Sequence, residues 1–170
     1  MKTIILFIIW SFIFISCSKV LNIDENLTLQ RKNYNGNELK TDGYYYVFDE
    51  ETNTTDIYCL YRNGIIITVG GYLSHNLDEI EKEIVNEKLK SKDHWGVFIV
   101  EGNIFQYERW IGSTGFRACL SKSTGCIKND TTINITERYN SERNETYSVN
   151  EVWHFKSFSL KPDSTNNYIK

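Results

Sequence analysis

The chain has 170 residues, of which 41% are hydrophobic and 24% charged, with a single proline and a formal net charge of -3. This composition indicates one compact domain and excludes a disordered or fibrous chain. An aromatic content of 14% favours strands, because flat rings pack well on a pleated surface. A sequence pI near 5.7 without a basic block gives no electrostatic basis for binding nucleic acid.

The N-terminus carries the pattern of a signal peptide. One positive charge precedes residues 4–15, which are apolar with a single exception. Because a membrane-spanning helix needs ~20 apolar residues, a signal peptide over residues 1–16 is favoured over the alternative of a permanent transmembrane anchor. The junction of Ser16 and Cys17 resembles a bacterial lipobox, although Phe14 stands where leucine is usual. An ordinary secretory signal with an incidental cysteine is the other alternative.

The lipobox predicts that Cys17 is lipidated and becomes the mature N-terminus. Two or three acyl chains of the palmitate type anchor a protein stably, because each buried methylene adds ~0.8 kcal/mol. We therefore expect a lipoprotein of the bacterial cell envelope whose membrane contact is its N-terminal lipid. Ser18 is not the aspartate that commonly retains lipoproteins in the inner membrane, which favours the outer membrane, facing the periplasm. Residues 17–41 are polar and weakly patterned, so they are expected to form a lipidated flexible tether to a domain over residues 42–170.

Short apolar or alternating runs, separated by turn signals, predict eight or nine strands joined in order. These runs are residues 44–49, 56–62, 65–72, 95–101, 104–111, 115–121, 125–128, 131–139 and 147–160. Asn63–Gly64 is the strongest hairpin signal, since a type I′ turn needs positive φ at both positions, and Gly102–Asn103 marks a second hairpin. The expected fold is mainly β, an antiparallel meander that forms a barrel or a strongly curved sheet.

Alternation also assigns the inner face of some strands. In residues 131–139, it predicts Ile133, Ile135 and Tyr139 on the inner face, together with Glu137. Both faces of the hairpin around Gly102–Asn103 are rich in apolar groups. A sheet of this kind needs cover on both sides, by the core on one side and by a helix or a lipid-like ligand on the other.

One amphipathic helix is predicted over residues 77–91. Its apolar positions recur at helical spacing and are Leu77, Ile80, Ile84, Val85 and Leu89. Asn76 and Glu79 have the spacing of a capping box. We expect the apolar stripe to pack on the sheet and the charged face to lie in solvent.

The cysteines predict one disulfide. Cys119 and Cys126 flank six residues, and a turn centred on Lys122 and Ser123 would place them opposite each other on antiparallel strands. Cys59 lies in an apolar run and is expected to be a buried free thiol. No base lies near these residues in the sequence, so no catalytic cysteine is expected.

The sequence contains no catalytic or metal-binding motif. The three histidines lack the spacing that brings two rings to one metal, so no metal or cofactor is expected. Glu101, Glu108, Glu137 and Glu151 lie on predicted strands, and two of them facing one lumen would suit acid–base hydrolysis. Isolated strand carboxylates usually face solvent or pair with arginine, so a non-enzymatic protein is expected, with a hydrolase as an alternative.

One hairpin carries a candidate ligand site. A two-residue turn places Trp95 opposite Trp110, with Gln106 and Glu108 on the same face. Two large rings beside two polar groups are typical of a pocket wall. The alternative, favoured because sheet faces are usually covered by their own helices, is that this face packs against the predicted helix.

Several segments of the chain resemble an uncharacterised family of Bacteroidetes-type envelope lipoproteins. They are Leu39-Lys40-Thr41-Asp42-Gly43-Tyr44-Tyr45-Tyr46 and residues 61–64, 95–98, 125–132 and 158–164. The resemblance implies an envelope location and a domain covering most of residues 39–170, and it supplies no site residue. The strand order is also similar to calycin or lipocalin barrels at the level of the fold, although Gly43-Tyr44-Tyr45 replaces the Gly-x-Trp of a lipocalin first strand.

The expected function is therefore non-enzymatic binding of a small apolar or amphipathic ligand, because an eight-stranded barrel can hold one small molecule in its lumen. The alternative is a structural or protein-interaction module of the envelope. A binder requires a concave lumen, whereas an interaction module has a filled interior.

Overall fold

Eight antiparallel strands form a closed barrel in the computed structural model, which describes residues 25–86, 89–112 and 118–170. The strands are β1 (Gly43–Asp49), β2 (Thr54–Leu60), β3 (Ile65–Tyr72), β4 (Trp95–Glu101), β5 (Ile104–Gly112), β6 (Ala118–Asn129), β7 (Thr132–Asn140) and β8 (Glu145–Ser157). Each strand pairs with its neighbours in sequence, and β8 closes the barrel on β1. The predicted β fold is confirmed, and of the two expected forms, a barrel or a strongly curved sheet, the structure shows the barrel.

Both predicted hairpins form, but the type I′ turn predicted at Asn63–Gly64 is wrong. Leu60 lies opposite Ile66, so the loop has three residues, 62–64, and Asn63 does not have a positive φ angle. Gly64 and Gly102 have φ angles of 80° and 63°, which a residue with a side chain rarely adopts. The β4–β5 register runs from Gly96 opposite Arg109 to Glu101 opposite Ile104, which is the register that a two-residue turn predicts. The faces of this hairpin are therefore the predicted ones.

The predicted helix forms as α1 (Leu77–Asn86), which is shorter than predicted and is the one α-helix among the described residues. The Asn76 side chain accepts a hydrogen bond from the Asp78 N–H at 3.1 Å, which satisfies a free donor of the first turn. The described residues 89–91 are not helical, and a short 3-10 helix, Lys92–His94, leads into β4. No described helix has the length and apolar character that a membrane span requires.

The hydrophobic core has two layers, one inside the barrel and one outside its wall. The inner layer is formed mainly by aromatic side chains, among them Tyr45, Tyr58, Phe98, Phe105, Tyr107 and Trp153. The outer layer joins the strands to α1 and to both terminal segments through Ile57, Ile67, Ile80, Ile84, Trp95 and Trp110. Ile80 and Ile84 of the predicted apolar stripe thus pack on the sheet, whereas Val85 is 50% exposed and Leu89 lies outside the helix.

The predicted disulfide does not form. Cys119 and Cys126 lie on one continuous strand, β6, and both are free thiols. At about 3.3 Å per residue their Cα atoms are roughly 23 Å apart, far beyond the ~7 Å limit of a disulfide. The predicted turn is wrong because the small polar residues of β6 face inward. Ser123, which is fully buried, lies opposite Tyr107 of the inner layer.

The expectation of a flexible tether is wrong for residues 25–41, which pack along the barrel. Tyr34 and Leu39 are 7% and 1% exposed. The Tyr34 N–H donates to the Arg62 carbonyl at 2.8 Å, and the Lys40 N–H donates to the Asp130 carbonyl at 3.0 Å. The packed domain therefore includes residues well before position 42. The predicted signal peptide, Cys17 and the tether up to residue 24 lie outside the described residues.

A β-bulge changes the inner face of β7. Ile133 and Ile135 are fully buried on the predicted face, but the register shifts between Ile135 and Glu137. The extra residue reverses the alternation, so Glu137 is exposed. Arg138 turns inward instead and donates to the Ser123 hydroxyl at 3.2 Å.

Candidate functional site

The lumen of the barrel is filled by its own side chains. Tyr58 and Trp153 stack with ring centroids 3.6 Å apart and an interplanar angle of 15°. The Tyr107 ring lies 5.3 Å from that of Trp153, and all three residues are at most 2% exposed. The interior of an eight-stranded barrel is just wide enough for side chains, and here they occupy it. The expectation of a ligand held in the lumen is therefore not met, and the filled interior is the feature expected for the alternative of a structural or protein-interaction module. A small-molecule site would have to lie outside the barrel wall.

Trp95 and Trp110 lie on the outer face of the barrel, each 3% exposed, in the same layer as Ile80 and Ile84 of α1. The Trp110 indole N–H donates to the Glu25 carbonyl at 2.7 Å, and the Trp95 indole N–H donates to the Leu89 carbonyl at 3.2 Å. Both rings thus anchor segments that cross the sheet, which agrees with the alternative that this face packs against the helix.

The two polar members of the predicted site are engaged by other parts of the chain. The Glu108 carboxylate, which is 2% exposed, accepts hydrogen bonds from the Thr28 N–H, the Thr28 hydroxyl and the Leu29 N–H at 2.6, 2.9 and 2.7 Å. The Gln106 amide donates to the Thr124 hydroxyl at 3.3 Å across β5 and β6. Glu108 therefore holds the N-terminal segment on the barrel.

A cleft of about 560 Å³ lies beside Trp95, between α1 and residues 159–165. We call it the helix cleft. Its apolar lining consists of Ile84, Val85, Leu89, Trp95, Leu160 and Pro162. Val85 and Leu160 both line this cleft and are 50% and 63% exposed, so their apolar surfaces are accessible to a ligand. Small-molecule sites commonly have volumes of about 300 to 1,000 Å³, and the helix cleft lies in this range. It is open to solvent and its lining mixes apolar and polar groups, which suits an amphipathic ligand better than a purely apolar one.

The polar lining of the helix cleft is Ser159, Lys161, Asp163 and Thr165. The Lys161 ammonium donates to the carbonyls of Thr41 and Leu60, both at 2.7 Å, and lies 4.0 Å from the centroid of the Tyr61 ring. Burial lowers the pKa of Lys161. Because its donors are directed into the wall, Lys161 fixes the C-terminal segment and gives one side of the cleft a defined shape.

The C-terminal half of this cleft was missed from the sequence because residues 147–160 appeared to form one long strand. β8 ends at Ser157, and the Phe158 N–H donates to the Asp42 carbonyl at 3.2 Å as the chain turns away. The Tyr61 hydroxyl donates to the Pro162 carbonyl, which secures the following residues. The only proline of the chain, Pro162, is the signal that a non-strand segment begins here.

The strand carboxylates occupy different surroundings. Glu101 and Glu137 are exposed, and Glu108 lies in the outer layer under the N-terminal segment. Glu151 pairs with Arg138 at 2.8 Å. Within the described ranges, no group of three or more potential ligands is placed to hold a metal ion. None of the clefts described here is lined by two of these four carboxylates, and the hydrolase alternative requires such a pair.

Comparison with known proteins finds no matching family model, no matching curated protein and no matching solved structure.

Proposed function

We propose that this protein is a non-enzymatic, lipid-anchored protein of the bacterial envelope that binds a small apolar or amphipathic ligand in the helix cleft. The observation that carries the proposal is a cleft of about 560 Å³ with six apolar lining residues, beside a lumen that is already filled. Burial of apolar ligand surface contributes about 25 cal/mol per Å², so a wall of this kind favours a hydrophobic body.

The lining also favours a ligand with one polar end. Ser159, Asp163 and Thr165 lie on the C-terminal side of the cleft, whereas Ile84 and Leu89 lie on the helix side. Asp163 already accepts hydrogen bonds from the N–H and hydroxyl of Thr165 at 3.1 Å, which holds this turn in place. A ligand hydroxyl or amine is the group that would complement these oxygens.

The envelope location rests on the N-terminal pattern. The short apolar run and the Ser16–Cys17 junction support lipidation at Cys17. Glu25, whose N–H donates to the Ala118 carbonyl at 3.1 Å, lies eight positions after Cys17 in the chain. A lipid on Cys17 would therefore hold the barrel within about 30 Å of the membrane, at no more than ~3.6 Å per residue.

Binding of an apolar fluorescent probe to the purified full chain tests the proposal. Leu160→Glu places a charge on the rim of the cleft and is expected to weaken probe binding about tenfold or more, because burying an unpaired charge is costly. The matched control is Ile104→Glu, since Ile104 is 48% exposed and lies outside the cleft. Equal effects of the two substitutions would contradict binding in the helix cleft.

A further inference from the structure

The barrel is closed on one side by a short seam. β1 and β8 pair over only four positions, from Gly43 opposite Ser157 to Tyr46 opposite His154. Beyond Tyr46, β1 continues beside β2 as far as Asp49, and β8 runs beside β7 from Glu145. The two strands thus diverge, and a cleft of about 520 Å³ lies at the divergence. We call it the seam cleft.

Residues 145–153 of β8 consequently have one strand edge without a partner strand among the described residues. Natural proteins usually protect such edges with charged side chains, above all lysine, or with proline. This stretch, Glu-Thr-Tyr-Ser-Val-Asn-Glu-Val-Trp, contains neither lysine nor proline, and its charged residues are Glu145 and Glu151. Tyr147 and Val152 are instead 42% and 39% exposed. The edge therefore retains free backbone donors and acceptors and apolar side chains.

The direction of these backbone groups follows from the pairing on the other side. The Phe155 N–H donates to the Thr131 carbonyl on the β7 side, at 2.9 Å. Because N–H groups alternate sides along an antiparallel strand, the Val152 N–H points into the seam cleft. An added strand would bond to this group.

The walls of the seam cleft combine apolar and charged groups. Phe48 lies on the β1 side and Val152 on the β8 side. Phe48 is 40% exposed, and its ring centroid lies 3.9 Å from that of His75. Five carboxylates line the cleft, namely Asp49, Glu50, Glu51, Asp56 and Glu151, against the single guanidinium of Arg138. Arg138 is already paired with Glu151. The cleft is therefore lined mainly by polar and negatively charged groups, with Phe48 and Val152 as apolar contacts.

We propose that the seam cleft binds an extended basic segment of a partner protein, which adds a strand to the free edge of β8. Backbone hydrogen bonds supply affinity in this mode, and alternate side chains of the added strand supply specificity. One set of side chains would pack on Phe48 and Val152, and basic groups would meet Glu50 and Glu51. A second copy of this chain is disfavoured, because it would bring the same carboxylates together across the interface.

Peptide binding to the full chain in detergent tests this proposal. The probe is an end-blocked ten-residue peptide in which valine and lysine alternate. The control is a peptide of the same length in which valine and glutamate alternate. We expect the basic peptide to bind, the acidic one to bind at least about tenfold more weakly, and binding of the basic peptide to weaken with salt. Similar affinity for both peptides, or no binding of either, would overturn the proposal.

Three variants locate the contact. Val152→Pro removes the N–H that points into the seam, and proline is tolerated on a free strand edge. It is expected to weaken binding of the basic peptide about tenfold or more, whereas Val152→Thr, which keeps the N–H, changes it less than about threefold. Glu50→Lys with Glu51→Lys is expected to weaken binding similarly to Val152→Pro. Unchanged binding by Val152→Pro would contradict strand addition.

Hydrogen exchange of the unmutated chain tests the same contact even if Val152→Pro does not fold. The amide of Val152 is expected to become protected when the basic peptide is added, and unchanged exchange there with bound peptide would exclude this edge. A dimer of the free chain that Val152→Pro dissociates would instead identify a second copy as the occupant. Both readouts are independent of the helix cleft, so this proposal can fail without the proposed ligand function failing.

Discussion

The carboxylate of Glu108 on β5 binds Thr28 of the N-terminal segment twice, through the backbone N–H at 2.6 Å and the hydroxyl at 2.9 Å. A third bond, from the Leu29 N–H, completes the contact. A buried carboxylate is costly unless its oxygens are satisfied, and here three donors satisfy them. A segment with a polar, tether-like composition is held on the barrel by this contact.

Removal of this contact is expected to release the N-terminal segment. Glu108→Ala leaves several donors without an acceptor and should lower the free energy of unfolding by about 2 to 4 kcal/mol. Thr28→Val removes only the hydroxyl bond and should cost about 1 kcal/mol. Denaturant unfolding measures both values, and hydrogen exchange at residues 28–31 should accelerate in Glu108→Ala. A loss below about 0.5 kcal/mol would mean that the segment does not depend on Glu108.

Local signals predict much of this fold, whereas contacts between distant segments do not follow from them. Gly64 and Gly102 mark their hairpins because a glycine readily supplies the positive φ angle that each turn needs. The contact between Thr28 and Glu108 spans 80 positions, and no local pattern indicates it. Trp95 was identified as a candidate, but its cleft also needs Leu160, which lies 65 positions later in the chain.

Two predictions are wrong, one because inward-facing residues resemble a turn and the other because a bulge shifts the register. Ser121 and Ser123 of β6 are small and polar, which is typical of a turn, yet they face inward beside larger inner-layer side chains. The bulge of β7 likewise exchanges the places of Glu137 and Arg138. Alternation predicts faces only while the register is unbroken, so a single inserted residue reverses the assignment after it.

The thiol content follows from the continuous β6. Mass mapping after alkylation in denaturant should find Cys59, Cys119 and Cys126 all alkylated, because none is paired. Without denaturant, only Cys126 should react readily, since Cys119 is buried and burial raises the pKa of the Cys59 thiol to about 11. Recovery of a peptide that links Cys119 to Cys126 would contradict the structure of β6.

The filled lumen predicts a large stability cost at its centre. Trp153→Ala removes a ring that stacks on Tyr58 and should lower the free energy of unfolding by about 3 to 5 kcal/mol. Trp153→Phe keeps an aromatic ring and should cost less. A double-mutant cycle with Tyr58→Leu should give a coupling of about 0.5 to 1.5 kcal/mol. A wild-type-like stability of Trp153→Ala would show that the lumen is not tightly packed.

Attachment of α1 to β8 should depend on pH. Lys156 lies 2.8 Å from Asp78 and 3.0 Å from Glu81. The hydrogen bond and charge of Lys156 lower the pKa of Asp78 below its ordinary value of 3.8, and the same contacts raise the pKa of Lys156 above 10.5. The stabilisation from Asp78 is therefore complete above pH 3.8, and it is lost as pH falls through the lowered pKa of Asp78. The stabilisation from Lys156 is complete below pH 10.5, and it is lost as pH rises through the raised pKa of Lys156.

Thermal unfolding between pH 2 and pH 7 measures the acid side of this dependence. Asp78→Asn should lower Tm at pH 7 and have little effect at the acid end, where the wild-type carboxyl is also neutral. An effect of the same size at both ends of the range would exclude ionisation of Asp78 as its cause. Glu83→Gln is the control, because Glu83 is an exposed residue of the same helix.

Anchoring through Cys17 is tested by fractionation of cells. Cys17→Ala should abolish incorporation of labelled palmitate and move the protein out of the membrane fraction, because no acyl chain can be attached. Cys126→Ala is the matched control and should keep both properties. Recovery of Cys17→Ala in membranes with an uncleaved signal would instead support a transmembrane anchor.

The most direct test of the ligand site is methyl NMR of the full chain during titration with an apolar probe. Binding in the helix cleft predicts that the methyl signals of Ile84, Val85, Leu89 and Leu160 shift, while those of Ile133 and Ile135 in the lumen stay unchanged. Shifts at Ile133 and Ile135 with none at Leu160 would place the ligand inside the barrel and contradict binding in the helix cleft.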